Sequence, residues 1–432
     1  MDILTSYNLI IAASAIIILS FFFGEVARKT NIPSVLMLIV LGISLKFGLD
    51  AMGLDNLNFF PILEILGIVG LIMIVLEAAL ELELKKEKYI PIAKALFIAL
   101  IGLVASLWIA AVILHEFVPG MSMSAAYLYA TPLSILSSAI IIPSVNGLSE
   151  SKREFHIYES TFSDILGIMV FYFLAGQLDA AEHSSGFAGF AGNVVLTIIL
   201  SLIASYLIVL VFQNIKTNVK LFLLIAVLLL LYSLGKQMHL SSLIIILIFG
   251  LLIANKHLFF RGPLARWLDE HKAEEIYEGL HVITMETAFV VRTFFFVIFG
   301  VTISLASLAS VNVAIISGLI ILSIYLIRFI ILRIFIGKDI IPQLFVAPRG
   351  LITILLFYAI PQEAIVPGFE PGILLFIIIG TSLIMTIAMV YDKRRSGQAV
   401  KKAQGTPVGY ARWKAPEVTT AKAATQPESP EE

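Results

Sequence analysis

The chain has 432 residues, of which 59% are hydrophobic and only 14% charged. Soluble domains carry about 25% charged residues. With a mean hydropathy of +1.00 this chain cannot cover its own surface in water, so its solvent is lipid. Cysteine is absent, which excludes a disulfide framework, and 29 basic against 30 acidic residues leave no excess for nucleic-acid binding.

A helical span of the bilayer core needs about 20 apolar residues, within a range of ~17–25. About thirteen stretches qualify, centred near Ala15, Leu41, Ile72, Leu103, Ile135, Gly167, Leu200, Leu228, Leu247, Phe295, Ile324, Leu355 and Thr381. The opening run, Leu9 to Phe23, lacks a basic leader and a small-residue cleavage site and reads as a retained membrane helix. The ninth stretch, Ser241–Asn255, is short, and only Lys236–Leu240 separates it from the eighth.

Lys and Arg in alternate loops set the orientation. One set carries Arg28/Lys29, Lys85/Lys86/Lys88/Lys94, Lys152/Arg153, Lys216/Lys220, Lys256/Arg261/Arg266/Lys272 and Arg333/Lys338, whereas the other offers Lys46 and Lys236. The expectation is an N-terminus outside and a C-terminus in the cytoplasm. The longest cytoplasmic loop, Lys256 to Leu280, is expected to hold an amphipathic stretch around Pro263–Ile276. After Asp392 the composition turns to Lys, Arg, Ala, Pro, Gln and Glu. Residues 1–392 therefore read as a transmembrane domain and 393–432 as a disordered cytoplasmic tail, with too little apolar surface to offset its ordering entropy.

Two spans are interrupted, the fifth by Thr131-Pro132 and the twelfth by Pro348-Arg349-Gly350. Seven spans apart, they run in opposite directions. Paired broken helices in inverted halves point to a transporter site at mid-membrane.

Within the apolar runs stand Glu77, Glu159, Asp164, Arg292, Arg328 and Arg349, while Glu64 lies near a span end. A charge at the bilayer centre costs about 3 kcal/mol or more, so such residues pair or line a polar route. Arg328 lies within a turn or two of Arg333 and reads as snorkelling to the interface. In Glu159-Ser-Thr-Phe-Ser-Asp164, Ser160 and Asp164 are four apart and share a helix face. Glu159 and Ser163 share another, rotated by about 100°. One face offers a carboxylate and a hydroxyl to a small hard cation; the other offers an acid to an arginine. Two acids in separate environments are what a proton/cation exchange site needs.

Ser134, Ser137, Ser138 and Ala139 suit close helix packing as well as binding and are assigned no ligand role, and most of the seven histidines, with His156 and His281, read as solvated residues of loops and span ends. No HExxH, GxSxG or P-loop spacing occurs, so the chain is not expected to be an enzyme or to hold a cofactor.

At these residues the sequence resembles the sodium/proton antiporters of the monovalent cation:proton antiporter superfamily, over almost all of Met1–Asp392. Val75-Leu-Glu77-Ala-Ala-Leu-Glu-Leu resembles the third-helix acidic motif, and Ala130-Thr131-Pro132 with Ser137-Ser138-Ala139 the unwound fifth helix. Glu159 to Asp164 resembles the sixth-helix motif, and Val291-Arg292 to Gly300 with Ala347-Pro348-Arg349-Gly350 the tenth and twelfth helices. The resemblance implies an all-α polytopic membrane protein of inverted repeats with two crossed discontinuous helices, a homodimer in which one bundle moves against a dimer scaffold. It implies that Asp164 alternates between proton and cation, with Ser160, Glu77 and the Thr131 carbonyl completing the cation's oxygen shell. Glu159 would pair with Arg349, and Ser163 and Arg292 would line the site. Two departures stand out: no acidic residue separates Thr131 from Pro132, and Ser163 occupies the place of the usual Asn or Asp.

The function expected is exchange of a monovalent cation, Na⁺ before K⁺ or Li⁺, for H⁺ across the cell membrane. With Glu159 paired and Ser163 unable to titrate, exchange is expected to be electroneutral. A cation channel is the alternative, for which the sequence offers no continuous polar lining. An intramembrane enzyme would need a second catalytic carboxylate opposite Asp164.

Overall fold

The computed structural model describes residues 6–30, 34–51, 60–82, 84, 88–178, 186–215, 220–237, 242–259, 269–302 and 310–405. The chain divides into two units, residues 1–390 and 391–432. Regular structure among the described residues is helical throughout. That is what lipid dictates, since a helix satisfies its own backbone polar groups where no water can.

In chain order the helices are α1 (Ser6–Thr30), α2 (Ser34–Ala51), α3 (Phe60–Glu81), α4 (Tyr89–Phe117), α5 (Met123–Ser134), α6 (Ser138–Ser144), α7 (Glu150–Leu178) and α8 (Gly186–Phe212). They continue as α9 (Lys220–Gln237), α10 (Ser242–Ala254), α11 (Lys256–Phe259), α12 (Glu270–Thr302), α13 (Val311–Phe335), α14 (Leu351–Tyr358) and α15 (Gly372–Gly405). Helix α4, with 29 residues, is about 44 Å long, ample for a core of about 30 Å.

Ten helical stretches among the described residues are long and apolar enough to cross a membrane, with α5 and α6 counted together. The expected count of thirteen full crossings is not reproduced. The eighth and ninth stretches are shorter apolar helices, Leu221–Gly235 and Leu243–Ala254, and the twelfth contributes only the eight residues of α14. Helix α15 runs on to Gly405, past the boundary expected at Asp392. Between Lys393 and Gln404 the sequence is rich in Lys, Arg, Ala and Gln, all good helix formers. The rest of the expected tail lies outside the described residues. So does much of the expected amphipathic stretch, of which 270–276 form the first turns of α12.

Two groups of helices pack within residues 1–390. In one, α5, α7 and α13 pack on α4, with α6 on α7 and α14 on α5. In the other, α12 lies along α2 and α3, and α10 along α3, α8 and α9. Helix α3 connects the groups by touching α7 and α14. The α2–α12 contact brings backbone against backbone. A Cβ on Gly42 would stand 2.8 Å from Gly300 Cα, and one on Gly300 2.5 Å from Ile39 O. Without a hydrophobic drive between helices in lipid, such close approach by small residues supplies the association. The opposite faces are apolar and exposed, as with Ile101, Val104 and Trp108 of α4 and Leu322 and Leu326 of α13.

The breaks arise where the sequence interrupts helical bonding. Ser122 caps α5, accepting from the Ala125 amide at 3.2 Å. Pro132 lies inside α5 and lacks an N–H. Thr131 and Ser134 then donate their hydroxyls to Tyr127 O and Ala130 O, each at 2.8 Å, bonding that bends helices. The chain leaves helical geometry at Ile135 and resumes it at Ser138. Residues 346–350 before α14 are likewise non-helical. The two interrupted segments meet: the Ser137 amide donates to Pro348 O at 3.0 Å. A Cβ at Gly350 would fall 2.5 Å from Ser137 Oγ, so any larger residue there would push the Ser137 side chain aside.

Candidate functional site

Helix α7 passes the crossing and presents Glu159, Ser160, Ser163 and Asp164 to it, all between 0% and 3% exposed. The rotation of about 100° between neighbouring residues sends the two acids to different surroundings. Glu159 meets Arg328 of α13 in a bidentate pair, Nη1 to Oε1 at 2.7 Å and Nη2 to Oε2 at 2.8 Å. Arg328 also donates from Nε to Gln343 O at 3.0 Å. His156 Nδ1 lies 3.4 Å from Glu159 Oε2, without hydrogen-bond alignment.

This corrects two expectations. Arg328 does not snorkel, and Glu159 does not pair with Arg349. Both α7 and α13 lie against α4, so an arginine about two turns inside the end of α13 finds Glu159 without reaching the interface. The Arg349 guanidinium donates to the backbone of the crossing, from Nε to Leu133 O at 2.7 Å and from Nη1 to Ala347 O at 3.3 Å, while the Arg349 main-chain amide donates to Thr381 Oγ1 of α15 at 3.0 Å.

Asp164 has no such partner. Both carboxyl oxygens are buried without a hydrogen bond among the described residues. The Ser138 hydroxyl and amide face the carboxyl, outside hydrogen-bond geometry. Ser163, the residue before it, accepts from the Leu136 amide at 3.0 Å and so ties α7 to the unwound segment. Ser160 donates to His156 O at 2.7 Å, which leaves its hydroxyl oxygen free to accept. Thr131 is fully buried in α5.

Glu77 of α3 faces Arg292 of α12, with Oε2 and Nη2 3.5 Å apart. Arg292 donates from Nη1 to Ala139 O at 3.1 Å, so one side chain links α12, α3 and α6. Beyond the spans, Lys88 pairs with Glu154, and this hydrogen bond raises the lysine's pKa. No three His, Asp or Glu side chains gather into a metal cluster among the described residues.

Sequence reasoning brought together Glu159, Ser160, Ser163, Asp164 and the two breaks. It missed Arg328 as the partner of Glu159, although a second arginine inside an apolar run was the available signal. It also missed Asn255, fully buried, whose side chain donates to Leu82 O at 2.9 Å and accepts from the Leu84 amide at 2.6 Å, closing the end of α3.

Comparison with known proteins places this architecture. The family model described as the transmembrane sodium/hydrogen exchanger matches residues 14–391. No curated protein matches significantly. Among solved structures, the sodium proton antiporter MjNhaP1 from Methanocaldococcus jannaschii at pH 8 superposes with a TM-score of 0.65 at 20% identity, covering 90% of this chain and 99% of that one. An electron-microscopy structure of the same antiporter gives 0.63 at 20% identity, covering 93% and 99%. With its broken helices crossed beside a buried aspartate and its family match spanning nearly all the membrane helices, the chain belongs to the sodium/hydrogen exchanger family.

Proposed function

We propose that the chain is a secondary antiporter exchanging a monovalent cation, Na⁺ before K⁺ or Li⁺, for H⁺ around Asp164. The observation that carries this reading is the difference between the two acids of α7. Glu159 is neutralised by Arg328, whereas Asp164, as deeply buried, has neither a counter-charge nor a closed hydrogen bond among the described residues. A buried carboxylate without a partner is costly. It lowers its free energy by taking either a proton or a cation, and the two exclude each other.

In this reading Ser160 and the Thr131 carbonyl offer oxygens to the bound cation, as hard cations require, and Glu77 lends a carboxylate restrained by Arg292. Ser163 holds the unwound segment in register. Alternating access follows from movement of the group containing the crossing against the group around α12. One proton leaves as one cation enters, so exchange is electroneutral. Residues 1–392 are the transport domain and 393–432 a cytoplasmic tail, with the N-terminus outside and the working assembly a homodimer.

The test is sodium-driven proton movement in proteoliposomes, repeated with potassium and lithium. Wild type should acidify or alkalinise the lumen according to the Na⁺ gradient. Asp164→Asn should insert normally and lose exchange with every cation. Normal exchange by that variant would refute the assignment. A larger response to potassium would reassign the substrate, and cation flux uncoupled from protons would favour a channel.

A further inference from the structure

Arg349 heads the fully buried side chains in size and is 2% exposed. Arginine does not shed its proton in a protein. Its charge must therefore be compensated or stand as a heavy cost inside the membrane. The carbonyls of Leu133 and Ala347 accept from Nε and Nη1, and the first, in the last turn of α5, adds partial negative charge but no full counter-charge. Among the described residues Nη2 makes no hydrogen bond, and no carboxylate lies within ion-pair distance of the guanidinium. Glu159, the acid nearby, has each oxygen committed to Arg328. Two arginines and one glutamate leave one positive charge.

Beside this charge lies a cavity of about 30 Å³, between α4, α13 and the crossing. Its polar lining is Arg349, Arg328, Glu159, Ser106, Ser134 and Ser163. Such a volume admits one or two species the size of water. Three donors there are unspent. The Ser106 hydroxyl has no hydrogen bond among the described residues. Ser163 accepts from the Leu136 amide and keeps its own hydrogen free, and Arg349 keeps Nη2. Ser134 donates to Ala130 O and adds none. The Glu159 carboxylate would repel an anion, but its bidentate pairing with Arg328 cancels that charge. The cavity's volume of about 30 Å³ suits a monatomic ion better than phosphate, a carboxylic acid or a lipid headgroup. Water filling it would satisfy the donors and leave the charge.

We propose that this cavity binds a small inorganic monovalent anion, chloride under cellular conditions, as the counter-charge of Arg349. The site lies on the Glu159–Ser163 face of α7, away from the Asp164 face, and the proposal does not depend on the exchange reading.

The probes are chloride and bromide. Purified full-length protein in detergent is melted in increasing sodium chloride, with sodium gluconate replacing it at constant ionic strength and sodium. Chloride should raise the melting temperature in proportion to its logarithm above the dissociation constant, by about 1–2 °C for each tenfold step. Arg349→Gln should lose the response, but it also loses two carbonyl bonds and is liable to misfold. Ser106→Ala is therefore the deciding variant. It should melt near wild type in gluconate and need several-fold more chloride for the same rise. Identical melting in chloride and gluconate would overturn the proposal, as would an unchanged chloride response in Ser106→Ala. A bromide-soaked crystal should show an anomalous peak beside Arg349 Nη2, and water alone in the cavity would also overturn it.

Discussion

Replacing Arg328 with leucine would leave the Glu159 carboxylate buried without its bidentate partner, with His156 beside it and Arg349 across the same cavity. The pair is bidentate at 2.7 and 2.8 Å, and the two side chains are 9% and 2% exposed. Removing one member of such a pair costs about 3–5 kcal/mol, because the other charge is stranded. A chain of 432 residues unfolds with an entropy of about 0.9 kcal/mol/K, so melting should fall by about 3–6 °C. Adding Glu159→Leu removes the stranded charge, and the double variant should recover most of that loss. Melting in detergent, read by intrinsic fluorescence for wild type, both single variants and the double, closes the cycle. The coupling energy between Arg328 and Glu159 should exceed about 2 kcal/mol. A coupling near zero there, with a large one between Glu159 and Arg349, would refute the pairing and restore the alternative that sequence favoured.

Three further outcomes follow from the same geometry. Asp164→Asn removes a buried, unpartnered carboxylate and should raise the melting temperature by about 1–3 °C in sodium-free buffer; a fall would mean that the carboxylate has a partner. Gly42→Val sets a side chain against the backbone of α12, and the variant should melt at least about 3 °C lower or fail to accumulate in the membrane. Sodium-driven proton flux measured at clamped potential should be insensitive to voltage. One uncompensated charge would couple at about 2.3 kcal/mol per 100 mV, so a reversal point that moves with potential would refute one-for-one exchange.

Much of the fold was legible because lipid punishes every unsatisfied backbone group. The long apolar runs had to be helices, and α4 and α13 appear where hydropathy put them. The breaks were legible from Pro132 and from Pro348-Arg349-Gly350, where chemistry removes a donor or a Cβ. The ninth stretch was expected to be short because its apolar run ends at Asn255, and α10 is 13 residues long. The partner of Glu159 was not legible. Sequence gives the direction in which Glu159 leaves α7 but not the helix that lies opposite, so Arg328, close to Arg333 in the chain, read as snorkelling and the resemblance supplied Arg349 instead. The continuation of α15 beyond Asp392 was missed because charge was read as disorder, although Lys, Arg, Ala and Gln are all good helix formers.

The two acids of α7 also show why a membrane site tolerates one unpaired carboxylate. Both lie within 3% exposure, so burial alone does not distinguish them. Their neighbours do. Glu159 faces α13, a continuous helix that brings a guanidinium already tied to Gln343 O. Asp164 faces Ser138, the first residue after the break, where a neutral hydroxyl and an amide replace a counter-charge. A permanent cation in that place would hold Asp164 ionised and exclude its exchangeable partner. The other arginines near the crossing are anchored elsewhere: Arg349 on Leu133 O and Ala347 O, Arg292 on Glu77 and Ala139 O. Fixed charges therefore brace the scaffold, and in the exchange reading proposed above Asp164, which has no counter-charge among the described residues, is the group that exchanges its companion.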